Sequence, residues 1–277
     1  MDAPRTFHLH MISDATGETL VAVAKAVRVQ YSQVRAIEHI HPLVRSKREL
    51  ERVLKDVEAT PGILLYTIVN QELVEQVEQT CKRLNIPCVP VLKSILQVFE
   101  SYLGMASTPT VAGQHVLDAD YFRRIEALNF TMLHDDGHLP ENLDDADILL
   151  VGISRTSKTP TSIYLANRGY KTANVPLIPG VPLPPKIEAR TNAFVVGLVA
   201  SAERISQVRQ NRVLEHAASH FDTYVDREAI AAEIAETRQL CARRGWPVID
   251  VTRRSIEETA AAILRLYYDR GAPVLDP

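Results

Sequence analysis

Apolar and polar positions alternate between two rhythms along this chain. Residues 7–12 are short and apolar-rich and run into Ser13-Asp14-Ala15-Thr16-Gly17-Glu18. Leu20, Val21, Val23, Ala24, Val27 and Tyr31 follow at mostly helical spacing, which predicts a helix over 20–31. Residues 34–40 read as a strand. Ser46 stands where it can cap a charged helix over 47–58, with Glu49 in the capping-box position. The run GILLYTIV at 62–69 is nearly continuous in apolar residues, as a strand covered on both faces would be. Asn70 caps a helix over 71–84, and residues 87–91 and 93–102 add a short strand and a helix. Such repeated β-then-α order predicts a parallel sheet with helices on its faces.

Residues 104–113 (GMASTPTVAG) are small, polar and proline-containing, and they read as a linker. The expected division is an N-terminal α/β domain over 1–108 and a second α/β domain over 109–277. The second part opens with a helix over 118–133 and the loop His134-Asp135-Asp136-Gly137-His138-Leu139-Pro140. A strand over 148–151 and a helix after Lys158 follow. Residues 175–185 (VPLIPGVPLPP) hold too many prolines for a helix or a central strand. Strands over 194–199 and 247–251, and helices over 202–216, 227–244 and 256–270, complete the reading.

Composition narrows the class. Of 277 residues, 46% are hydrophobic and 23% charged, which is ordinary globular usage. The 31 Lys and Arg against 34 Asp and Glu leave a formal charge of −3, with no basic excess for nucleic acid or an anionic membrane. No apolar run approaches the ~20 residues of a spanning helix. The N-terminus MDAPRTFHLH lacks a secretory h-region, and Cys81, Cys88 and Cys241 show no CxxC spacing. The expectation is a cytoplasmic protein without disulfides or a cysteine zinc site.

The most informative segment is residues 148–161, ILLVGISRTSKTPT. Gly152 stands six positions before Lys158, and Thr159 follows, which is the Walker A spacing with Ser157 in place of the second glycine. A buried-strand run enters and a helical stretch leaves. Gly152 permits the turn at the strand end. The amides of Ile153, Ser154, Arg155, Thr156 and Ser157 can form a nest around phosphate oxygens, aided by the positive end of the next helix. Lys158 would meet the terminal phosphate, Arg155 would add a second cation, and Thr159 could ligate Mg²⁺. Pro160 suits the first helical turn. The competing reading is a Ser/Thr-rich turn whose hydroxyls merely cap the helix. The strand–loop–helix setting and the two cations favour a P-loop-type nucleotide site.

Around this segment the chain resembles the pyruvate, phosphate dikinase regulatory proteins. The carrying residues are 152–166 (GISRTSKTPTSIYLA), His134-Asp135-Asp136-Gly137, 146–151, 13–19 (SDATGET), 174–184 (NVPLIPGVPLP) and 246–261 (WPVIDVTRRSIEETAA). The sister group that regulates phosphoenolpyruvate synthase carries Cys-Gly before the loop lysine, where this chain has Thr156-Ser157. The resemblance implies a bifunctional enzyme acting on pyruvate, phosphate dikinase. One activity phosphorylates a threonine of the target with ADP, and the other removes that group with inorganic phosphate, releasing pyrophosphate. The same chemistry on phosphoenolpyruvate synthase, and a non-catalytic nucleotide sensor, are the rival readings. Association with further copies of the chain stays open.

With the resemblance, His134, Asp135 and Asp136 become a candidate base and metal-ligand group, against the plain reading of a solvated Asp-Asp-Gly turn. Ser13, Thr16 and Gly17 form a second candidate phosphate or substrate site. On physics alone that loop reads as a helix cap with acidic first-turn residues. Arg204, Arg209, Arg212, Arg253 and Arg254 read as solvated charge. His8, His10, His39 and His41 fall on strands at period two, which predicts a shared sheet face with ordinary hydrogen bonds and no zinc.

Overall fold

The structure, a computed structural model, describes residues 5–113, 119–136, 143–188, 192–216 and 225–270. Loop residues 137–140 and the side chain of Arg212 lie outside that description. The chain divides into two compact units, Met1–Val116 and Leu117–Pro277. Each is an α/β unit built on one four-stranded parallel sheet.

The first unit contains β1 (Arg5–Ser13), α1 (Glu18–Arg28), β2 (Val34–His41), α2 (Lys47–Ala59), β3 (Gly62–Thr67), α3 (Gln71–Leu84), β4 (Cys88–Pro90) and α4 (Lys93–Leu103). Strand order is β2-β1-β3-β4. Local chemistry starts the helices as expected. Ser46 and Glu49 form a reciprocal capping box on α2, and the Asn70 side chain accepts from Glu72 and Leu73 N–H on α3. The main core lies under α2 and α3, where Ile12, Leu50, Val57, Leu64, Leu73 and Val77 pack together. A smaller cluster of Leu9, Met11, Leu20 and Ala24 holds α1 to the other face. The β3 strand is therefore less enclosed than its apolar run suggests: Leu64 and Tyr66 are buried while Ile63 and Leu65 are only half-buried.

The second unit contains α5 (Ala119–Leu133), β5 (Ile148–Gly152), α6 (Lys158–Ala166), β6 (Thr172–Pro176), α7 (Pro185–Glu188), β7 (Phe194–Val199), α8 (Ala202–His216), α9 (Arg227–Arg244), β8 (Val248–Asp250) and α10 (Ile256–Asp269). Strand order is β6-β5-β7-β8. Every residue of β5 and β7 is buried, because clusters around Leu150, Val196 and Ile263 on one face and Leu149, Val175 and Val195 on the other enclose them. The β6 strand is absent from the sequence reading. Its last residue, Pro176, is tolerated because β6 is an edge strand, where a missing ladder donor costs little.

Both sheets share one winding. In each, the second strand lies to one side of the first and the third to the other. The first and third strands thus flank a topological switch point, whose carboxyl end is the usual ligand crevice of such sheets.

Candidate functional site

The residues from Gly152 to Thr159 lie at the switch point of the second sheet, between the end of β5 and the start of α6. Gly152 is required by close approach: a Cβ there would stand 2.3 Å from the Leu198 carbonyl oxygen of β7. Arg155 and Ser157 have φ of 75° and 60°, with Thr156 between them at negative φ. Alternation of this kind turns successive amides toward one concavity, as in an anion-binding nest. Ser157 thus adopts the left-handed conformation that a glycine would favour in the motif, at a strain of roughly 1 kcal/mol.

The capping reading of this turn does not hold. The hydroxyl of Thr156 donates to the Ile153 carbonyl at 2.9 Å, and Thr159 turns toward Asp135. The residue before α6, Ser157, makes no side-chain cap, whereas those before α2, α3, α9 and α10 all do. The first amides of α6 therefore keep their capacity for an anion.

Lys158 is only 6% exposed, and its Nζ donates to the Gly152 and Ile153 carbonyls at 2.9 and 3.0 Å. Burial pushes this ammonium down to about 8, against the opposing pull of the Asp136 and Asp135 carboxylates. Arg155 and Arg209 add like-charge repulsion in the same direction as burial. The Nε of Arg155 is buried and makes no hydrogen bond. A buried amine among neutral carbonyls with an unpaired guanidinium nitrogen nearby in sequence is a setting that an anion would improve.

The acidic side of the site comes from the end of α5. Asp135 Oδ1 accepts from the Thr159 hydroxyl at 3.0 Å and from the Asn174 amide of β6. Asn174 also takes the Asp136 N–H on its Oδ1 at 3.2 Å, and its backbone N–H donates to the His134 carbonyl at 3.0 Å. The side chain of this one buried residue thus holds Asp135 and Asp136, and its backbone N–H holds His134, beside the helix that carries Lys158. Both donors use Oδ1 of Asp135, leaving Oδ2 for another proton or cation. His134 is fully buried, stacked on Phe130 at 3.8 Å between ring centroids, with Nδ1 donating to the Phe130 carbonyl at 2.7 Å.

Mg²⁺, expected from the position of Thr159 in the loop, meets a suitable donor set here. Asp135 and Thr159 offer hard oxygens side by side. Among the described residues no group of three or more His, Cys, Asp or Glu could hold a metal. Phosphate oxygens and water would therefore complete any coordination shell, as is usual for this ion.

The solvated reading of the arginines fails at Arg209. This residue of α8 is 1% exposed and forms a two-pronged pair with Glu233 of α9 at 3.0 and 2.7 Å. It also leans toward the Ser154 carbonyl at 3.5 Å. Arg204, Arg253 and Arg254 are exposed, as expected. Nothing local in the sequence marks Arg209 or Glu233, and Asn174 enters there only as the first residue of a segment that carries the resemblance; the partners of these residues lie 15 to 55 residues away.

A family model described as Kinase/pyrophosphorylase matches residues 9–264. The chain belongs to that family. A relative from Chelativorans sp. (strain BNC1) is 62% identical over 267 residues, covering 96% of this chain and 98% of the relative. Relatives from Bradyrhizobium diazoefficiens and Rhizobium meliloti (strain 1021) are 57% and 58% identical, over 95% and 94% of this chain and 95% and 96% of their own lengths. All three carry the provisional name pyruvate, phosphate dikinase regulatory protein. Membership in the kinase/pyrophosphorylase family places the chain among phosphotransferases.

In the first unit of this kinase/pyrophosphorylase the residue before α1 is Gly17, in the left-handed region at φ 84° and without a side chain to offer the helix. Ser13 Oγ instead accepts from Ala15 N–H and the Thr67 hydroxyl at 3.1 and 3.0 Å. Buried Asp14 accepts from Val69 N–H at 2.7 Å, so these side chains brace the loop against the end of β3. The histidines share one sheet face: His8 pairs with His39 at 2.9 Å and His10 with His41 at 3.4 Å. No helix among the described residues is long and apolar enough to cross a membrane.

Proposed function

We propose that this protein switches pyruvate, phosphate dikinase in the cytoplasm, by moving the β-phosphoryl group of ADP onto a threonine of that enzyme. It reverses the modification with inorganic phosphate and releases pyrophosphate. The observation that supports a phosphate site most directly is buried Lys158, held by the loop's own carbonyls beside an uncapped helix start. Donor, acceptor and target rest on the family resemblance and on the names of the relatives.

In the forward direction the threonine Oγ forms a bond to the β-phosphorus, the bond from that phosphorus to the bridging oxygen breaks, and AMP leaves. Asp135 Oδ2 takes the hydroxyl proton. In the reverse direction an oxygen of inorganic phosphate attacks the phosphothreonine phosphorus, the P–Oγ bond breaks, and the threonine regains its proton. Lys158 and Arg155 balance the charge on the transferred group in both directions, and the loop amides align it. A magnesium ion held by Asp135, Thr159 and phosphate oxygens would supply further charge neutralisation.

The test is incubation of purified protein and dikinase with ADP labelled in the β-phosphate. Label on a dikinase threonine, removed on adding inorganic phosphate and recovered as pyrophosphate, is expected. No transfer to dikinase overturns the proposal, and transfer to phosphoenolpyruvate synthase instead would reassign the target.

A further inference from the structure

Residues 177–183 follow β6 and begin at the phosphate loop itself, since Leu177 N–H donates to the Gly152 carbonyl at 2.9 Å. Ile178-Pro179-Gly180-Val181 then closes a tight turn, with Val181 N–H donating to the Ile178 carbonyl at 3.1 Å. Proline at the second position and Gly180 at φ 72° in the third are the requirements of a type II turn. The proline fixes one torsion and the glycine takes a conformation other residues resist, so this wall is rigid. Its two apolar side chains, Ile178 and Val181, are 56% and 59% exposed, and folding of the unit does not account for them.

Between this turn and α9 lies a cavity of about 540 Å³, to which Ile153 of the phosphate loop also contributes. That volume lies within the range typical of small-molecule sites. Leu177, Leu183 and Leu240 give it apolar surface, while Glu236, Gln239 and Arg243 bring polar groups. Glu233 lines it as well, already paired with Arg209. Carboxylates set against arginines leave the cavity without the cationic bias that Lys158 and Arg155 give the loop.

We infer that this cavity is the subsite for the nucleoside of the donor, an inference that rests on the reading of the loop as an ADP site. With the diphosphate of ADP on the loop amides, the uncharged nucleoside would extend past Ile153, where the cavity begins. The apolar wall suits the face of a purine ring, and the Glu236 and Gln239 side chains carry acceptors for ribose hydroxyls. A second phosphate would find carboxylates there. The rigid turn keeps the wall in place before the ligand arrives.

Titration calorimetry with ADP and with inorganic pyrophosphate separates the two ideas. Leu240→Trp fills the cavity, and Gly180→Val strains the turn that walls it. In both variants ADP affinity is expected to fall at least about tenfold while pyrophosphate binding stays within about twofold of wild type. Unchanged ADP affinity in both variants overturns the subsite and leaves the phosphate loop standing. Equal loss of both ligands, with the melting temperature preserved, also overturns it, because the cavity would then support only the loop. If the unaltered protein binds neither ligand, the phosphate-loop reading itself fails.

Discussion

The loop after β1 and the loop after β5 occupy the same place in two sheets of the same winding, yet they carry different side chains. Each follows the first strand of its unit, each ends in a left-handed residue, Gly17 or Ser157, and neither of those residues caps the helix that follows with its side chain. The difference lies in the side chains. After β5 the loop carries Lys158 and Arg155, with Arg209 and the carboxylates of Asp135 and Asp136 acting on Lys158. After β1 it is occupied by Asp14, a buried acceptor that satisfies Val69 N–H, and by Ser13, which bonds within the loop and to Thr67. Winding supplies a concave turn with amides to spare, and the local charge decides what the turn accepts.

The largest expected effect breaks the comparison at its strongest point. Lys158→Ala should lower both kinase and phosphorylase rates by about 10²–10³-fold, whereas Ser13→Ala should leave both within about twofold. Rate measurements in both directions check this, and equal sensitivity of the two loops would erase the distinction.

Next come the residues that hold the acidic edge. Asp135→Asn should cost about 10²-fold in kcat with little change in ADP affinity, as expected for a lost proton acceptor. Asn174→Ala should cost about tenfold in kcat by releasing Asp135 and Asp136 from their hold, with partial recovery in Asn174→Gln. An altered ADP affinity with unchanged kcat would assign both residues to binding instead.

A smaller effect follows from pH. Lys158 loses its proton at about 8 in the unliganded protein, and a bound phosphate favours the charged form. ADP affinity should therefore fall as pH rises through 8 and level off below it. Lys158→Arg, which keeps its charge in this range, should flatten the profile, as read by calorimetry between pH 7 and 9.

The smallest effect concerns backbone strain shared by the two loops. Ser157→Val and Gly17→Val each force a branched side chain into the left-handed region and should destabilise by about 1–3 kcal/mol in denaturant melts. Only Ser157→Val should also weaken ADP binding.

Much of this architecture was legible because its signals are local. The capping pair Ser46–Glu49 lies three residues apart, and the spacing from Gly152 to Lys158 spans a single loop. The β6 strand escaped because Pro176 and the prolines after it carry a turn signal that an edge position overrides. Arg209 escaped for a different reason. On α8 alone it is one charge among several, and its burial depends on Glu233 from another helix. Asn174 likewise acquires meaning only when β6 lies beside the end of α5 and the start of α6. The conformation of Ser157 was hidden too, since a serine reports a preference for caps and gives no hint that the surroundings hold it left-handed.

The carbonyls that grip Lys158 have a kinetic meaning. A long flexible amine ordinarily surrenders up to about 2 kcal/mol of rotational freedom when it is immobilised. Here Gly152 and Ile153 have exacted that sacrifice during folding. On the proposed reading, an arriving nucleotide would meet a charge already held in place and trade places with two oxygens, so capture would be quick and release would not wait for the side chain to refold.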